Sequence, residues 1–200
     1  MSKHFEKDLP DGYKEIFHIN AKDTKIGLLL TLCSLILAAI PLAILLPIYL
    51  CRKEFQFNFD FQTSFYLLGL AGALIIYMVL HELVHGIAYK SLTKQKLTFG
   101  ISWSCAYCGV PNIYVYRKAS IIALIAPFTV FSLIFGSFLI WFYFLDGMLY
   151  ILMAILFSLH VGGCIGDLYM FILFLFKYKD KTILMRDTGP EQFLYQHTLE

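Results

Sequence analysis

Four apolar runs, each long enough to cross a bilayer, leave this chain little choice of fold. A membrane-spanning helix needs about 20 predominantly apolar residues. Ile26 to Leu50 and Ala119 to Leu145 supply that length without a charged side chain. Phe65 to Tyr89 supplies it with one ionisable cluster, and Met148 to Phe176 carries a single carboxylate, Asp167, together with His160. Lipid offers no partner for a backbone N–H or C=O, so such runs fold as helices. Charged residues make up 15% of the chain, against about a quarter in soluble domains. The expectation is an all-α membrane protein with four transmembrane helices: a membrane domain over 26–176, a cytosolic N-terminal segment over 1–25 and a cytosolic C-terminal tail over 177–200. A polar, lysine-bearing lead precedes the first run and no small-residue cleavage site follows a short apolar core, so no cleavable signal is expected.

Orientation follows from the basic residues. The segments before the first run, between the second and third, and after the fourth hold fourteen of the sixteen Lys and Arg residues, and the opposite side holds only Arg52 and Lys53. Positive charge stays on the cytosolic side. Both termini are therefore expected in the cytosol, with the chain multi-pass in the cytoplasmic (inner) membrane.

The second run ends in the pentapeptide HELVH, residues 81–85. Ionisable side chains in a membrane helix are costly, about 2.5–3.5 kcal/mol each on insertion scales, and mark functional interiors. Residues four apart share a helix face, so His81 and His85 present two imidazoles to one tetrahedral metal. Glu82 lies about 100° round the helix and reaches a water at that metal without ligating it. This is the arrangement of zinc hydrolases, in which the glutamate takes a proton from water attacking a carbonyl.

A third ligand has to come from elsewhere. The second and fourth runs both head toward the cytosol; at 1.5 Å per residue His85 and His81 lie about 7 and 14 Å before Lys90, and Asp167 about 15 Å before Lys177. Matched depth favours Asp167 as the third zinc ligand, and a buried carboxylate also needs a cation more than a neutral imidazole does. His160 lies nearly on the same face, about 10 Å deeper. It remains the alternative ligand, or a residue behind the ligands that donates to the oxyanion. Gly162 and Gly166 form a small-xxx-small pair that lets another helix approach, and the glycines at 162, 163 and 166 loosen the helix so that Asp167 can turn inward.

Between the second and third runs, Leu97 to Tyr116 alternates and is rich in β-formers, with Gly109, Pro111 and Asn112 as turn residues. The expectation is a β-hairpin at the cytosolic leaflet. Its strand, with Ile101, Trp103 and Cys105, would bind an unwound substrate by β-addition. Cys105 and Cys108 form a CxxC with no second pair nearby, and the total of five cysteines on a cytosol-facing chain implies no disulfide framework. A turn at Asp187, Thr188, Gly189 and Pro190 interrupts the tail.

HELVHG at 81–86, FGISWSCAYCGVP at 99–111, LIAPF at 124–128 and GDLYM at 166–170 together resemble the putative zincin peptidases. These are small multi-span bacterial membrane proteins similar in motif layout to the site-2 intramembrane metalloproteases. The resemblance implies His81, His85 and Asp167 as metal ligands and Glu82 as catalytic base. A glycine-aspartate pair stands where site-2 proteases carry leucine-aspartate-glycine, and no appended PDZ-like segment is expected.

The reading is a zinc-dependent, membrane-embedded endopeptidase. It hydrolyses a peptide bond of a membrane-associated protein or peptide near the cytosolic leaflet, with the lipid bilayer as its other partner and no nucleic acid. The alternatives are a non-catalytic membrane metalloprotein acting as a regulator or partner-binding subunit, and a small proton-coupled transporter using Asp167, His160 and Glu82.

Overall fold

The computed structural model of the chain describes residues 3–51, 61–101 and 106–198. Helix α1 spans Thr24–Leu50. It begins where Asp23 Oδ1 accepts from the amides of Lys25 at 2.9 Å and Ile26 at 3.1 Å, an N-cap that satisfies otherwise orphaned donors. Helix α2 spans Phe61–Thr93 and stops at Lys94, whose φ of 59° puts it in the left-handed region common just past a helix end. Helix α3 spans Arg117–Leu145. The fourth apolar run folds as two helices, α4 over Gly147–Gly163 and α5 over Ile165–Phe176, broken at Cys164. Among the described residues three helices are long and apolar enough to cross a membrane, which makes up to four spans if the bent α4–α5 pair counts as one. Rows of Leu and Ile on these helices are exposed in the isolated chain, Ile36 at 67% and Leu68 at 70% among them. Such surface is stable only against lipid or another apolar partner.

The all-α expectation is wrong. The polar ends and the loop after α2 build a mixed α/β fold with a five-stranded antiparallel sheet. Its strands are β1 (Phe5–Glu6), β2 (Tyr13–Asn20), β5 (Tyr114–Tyr116), β6 (Leu184–Asp187) and β7 (Glu191–His197), in the order β1-β5-β6-β7-β2. A separate two-stranded sheet pairs β3 (Thr98–Ile101) with β4 (Ala106–Gly109). The expected hairpin over 97–116 is therefore redistributed. Both of its strands precede the Gly109–Asn112 turn, and the segment after that turn, β5, leaves to pair with β1 and β6.

The chain divides into two compact units. The first comprises residues 1–30, 80–127 and 166–200. Its core gathers Tyr89 from α2, Ala119, Ala123 and Leu124 from α3, Met170 and Phe174 from α5, and Val115, Met185 and Leu194 from the sheet. Arg117, the first residue of α3, donates from Nε to the Tyr178 carbonyl at 2.8 Å and from Nη2 to the Phe174 carbonyl at 2.7 Å. A cation thus closes the C-terminal end of α5, where carbonyls are unsatisfied and the helix dipole is negative.

The second unit comprises residues 31–79 and 128–165. Tyr150 stacks on Tyr49 and donates to the Leu45 carbonyl at 3.1 Å. Of the small-residue pair, only Gly162 serves close approach: a Cβ there would lie 2.5 Å from the Ser34 carbonyl oxygen and 2.8 Å from Ala38 Cβ. One on Gly166 would meet nothing within 4 Å. Gly162→Leu is accordingly expected to destabilise the chain by about 1–3 kcal/mol, the usual cost of overpacking, with Gly166→Ala well tolerated sterically. Thermal unfolding of the two variants in detergent checks this.

Candidate metal centre

On α2, His81, His85 and Tyr89 follow at intervals of four and share one face. Both histidines are buried. Opposite them Asp167 occupies the first turn of α5. Its Oδ2 lies 3.3 Å from His81 Nε2 and 3.3 Å from His85 Nε2, and the ligand atoms of all three residues fall within 4.8 Å of one another.

The hydrogen bonds decide what this convergence means. His85 Nδ1 lies 2.9 Å from the Ala123 carbonyl oxygen, which can only accept, so Nδ1 carries the proton. In the neutral ring Nε2 then faces Asp167 with a lone pair. Two acceptors turned toward each other at 3.3 Å need a cation between them, a proton or a metal. Zinc fits. With Zn–N and Zn–O bonds of about 2.0–2.1 Å, the edge of a tetrahedron is about 3.3–3.4 Å, the separation found here. A backbone carbonyl that fixes the tautomer of a ligating histidine is also the usual arrangement behind a metal site.

Glu82 is partly buried beside the histidines, and its carboxylate accepts from the Cys108 backbone N–H in β4. Gly86, directly after HELVH, makes room for β3. A Cβ there would lie 2.7 Å from Phe99 Cζ and 3.2 Å from Leu97 Cδ1.

One carboxylate at this end of α2 was not anticipated. Asp187, the last residue of β6, is buried, and its Oδ2 accepts from Tyr89 Oη at 2.6 Å while Oδ1 accepts from the Gly189 amide at 2.9 Å. Local sequence presents it as one residue of a polar turn. The spacing of Tyr89 from His85 is the only hint that α2 continues its functional face.

Burial pushes the Asp187 carboxyl up to about 6, against the lowering effect of the Tyr89 and Gly189 hydrogen bonds and of His85, while Asp167 adds repulsion. A raised carboxyl means that the folded chain holds a proton the unfolded chain has lost. The stability it contributes is complete below about pH 4 and is lost as pH rises through about 6. Asp187→Asn should remove that slope, on the order of 3 kcal/mol, in thermal midpoints measured from pH 4 to 7.

His160, in the second unit, is fully buried. Its Nδ1 lies 2.8 Å from Tyr77 Oη and its Nε2 3.1 Å from Ser132 Oγ, within a ring of aromatic side chains that includes Phe128, Phe131 and Phe135. Of the expected substrate-strand residues, Ile101 ends β3 and is 82% exposed, while Trp103 and Cys105 lie outside the described residues.

Buried histidines and an aspartate converging at these distances could hold a metal ion. Residues 74–182, more than half of the chain, match the model of the family described as "Putative zincin peptidase". The chain belongs to that family. Membership implies a metallopeptidase that uses zinc. Comparison with curated proteins and with solved structures gives no match.

Proposed function

We propose that the protein is a zinc-dependent endopeptidase embedded in the cytoplasmic membrane, with both termini in the cytosol, that hydrolyses a peptide bond of a membrane-associated substrate near the cytosolic leaflet. The observation that carries this reading is the convergence of His81 Nε2 and His85 Nε2 on Asp167 Oδ2 at the end of an apolar helix, with a glutamate beside them. His81, His85 and Asp167 would hold the ion. Bound there, zinc supplies a Lewis acid that makes water nucleophilic near neutral pH and polarises the peptide carbonyl.

The chain's own residues do the rest. Glu82 takes a proton from the attacking water and delivers it to the nitrogen of the leaving amine. The Cys108 amide holds the Glu82 carboxylate in place through its hydrogen bond. His85 keeps its orientation through the Ala123 carbonyl. A substrate helix hides its amides and must unwind before cleavage. In this reading the unwound strand adds to the segment of Ile101, Trp103 and Cys105.

The test is to map protein N-termini in membranes from cells making the wild type or Glu82→Gln at equal abundance. The reading expects new termini, in or beside membrane segments, that appear with the wild type alone. Identical sets of termini with a zinc-loaded wild type would overturn it in favour of a non-catalytic metalloprotein.

A further inference from the structure

The family match ends at residue 182, and Asp187 lies beyond it. Three elements of the first unit nevertheless meet at this one residue. Its Oδ2 takes the Tyr89 hydroxyl from α2, one turn past His85, at 2.6 Å. Its Oδ1 takes the Gly189 amide and shapes the turn into β7. Its carbonyl oxygen takes the Val110 amide, at the end of β4, at 2.8 Å. The contact between turn and hairpin is tight. A Cβ on Gly109 would come within 2.5 Å of Gly189 N and 2.8 Å of the Asp187 carbonyl oxygen, and the Tyr107 ring fills the space where Gly100 and Gly189 lack side chains. Two residues before Val110, the Cys108 amide reaches Glu82.

We propose that Asp187 is a positioning residue that locks the β3–β4 hairpin against the histidine face of α2 and so keeps the Cys108 amide on the Glu82 carboxylate. The catalytic consequence rests on the peptidase reading, but the lock itself does not. Losing the Asp187 carboxylate frees Tyr89 and the turn together, so that the backbone bond from Val110 to residue 187 no longer ties the hairpin to α2. Glu82 loses its partner while the ligands His81, His85 and Asp167 keep theirs.

Cys108 reports the lock directly. It is 6% exposed, and burial, with Asp187 and Glu82 nearby, pushes its thiol up to about 12, so it reacts slowly while the hairpin is closed. The experiment follows alkylation of Cys108 by N-ethylmaleimide, resolved by mass spectrometry, in the metal-free full chain in detergent. Backbone hydrogen exchange of β2 and β7 is followed in parallel. Asp187→Ala and Tyr89→Phe are expected to speed Cys108 labelling at least about tenfold through local opening, with β2 and β7 exchange unchanged. Asp187→Asn, which can still accept from Gly189 and bond Tyr89, should restore slow labelling. Unchanged Cys108 labelling in Asp187→Ala overturns the proposal. So does loss of β2–β7 protection in step with it, which would make Asp187 a fold-wide support, and so does failure of Asn to rescue. Because no metal or substrate is present, these outcomes are independent of whether the protein cleaves peptides. In the zinc-loaded enzyme the same lock predicts a fall in kcat/KM at unchanged zinc content.

Discussion

His85→Ala and Asp167→Asn are each expected to lower the zinc content of the purified protein from about one ion per chain to near none, read by elemental mass spectrometry. The two histidines and the aspartate contribute one ligand atom each, and those atoms stand close together. Removing either member leaves two protein ligands, where catalytic zinc sites use three and a water. The aspartate matters for a second reason. Its oxygen faces both Nε2 atoms, and Asn can present an oxygen of the right shape but no charge. Lost zinc in Asp167→Asn therefore assigns the charge a role, beyond geometry. His160→Ala separates the two third-ligand candidates that the sequence left open. If the three residues at the end of α2 and the start of α5 suffice, this variant keeps its zinc. A well-folded wild type that binds no metal would remove the basis of the peptidase reading altogether.

Glu82→Gln is expected to do the opposite: keep about one zinc and lose turnover by about 10²- to 10⁴-fold, the usual contribution of a positioned base. Glutamine preserves shape, and its carbonyl oxygen can still accept the Cys108 amide that holds the native carboxylate. What it lacks is basicity. Turnover is measured on a peptide spanning a terminus found with the wild type alone. Cleavage by Glu82→Gln at the wild-type rate would show that proton transfer runs through another group.

The candidate centre was more legible in the sequence than the fold around it, and the reason is range. HELVH places two histidines on one helix face by local periodicity. Asp167 follows from counting helical rise on two spans that run in the same direction. Both inferences need only regular helices and a bilayer to set the depth. Sheet pairing has no such ruler. β1 pairs with β5, with Phe5 opposite Val115, and β2 pairs with β7, with Tyr13 opposite His197. Neither partner is visible from within its own segment. The usual strand signal is also blurred. A register irregularity between Glu15 and Phe17 breaks the alternation of β2, and β6 is a central strand whose Leu184 and Met185 are both buried, so it shows no alternation to read.

The turn residues at 109–112 were correctly recognised as a turn but assigned to the wrong connection. They lead from β4 to β5 in a different sheet. The signal marks where a chain reverses and carries no information on which strand it meets next. The break at Cys164 shows a similar limit. Glycines flanking Asp167 suggested a loosened helix, and the chain does end α4 there and start α5 afresh. Which glycine packs and which faces open space depended on neighbours 120 or more residues away in sequence.

The antiparallel pairing of β2 with β7 has a consequence for how the protein comes into being. β2 is made before α1, yet it has no strand to pair with until residues 191–197 have left the ribosome. Long-range closure of this kind is slow, and β6 and β7 arrive together with Asp187. During synthesis, then, the histidine helix is complete while the strand beside Glu82 still lacks Asp187, the residue that would fasten it. Under the proposed function, a chain cut short before Asp187 would carry the histidine helix without the lock on its glutamate, and so without catalytic competence.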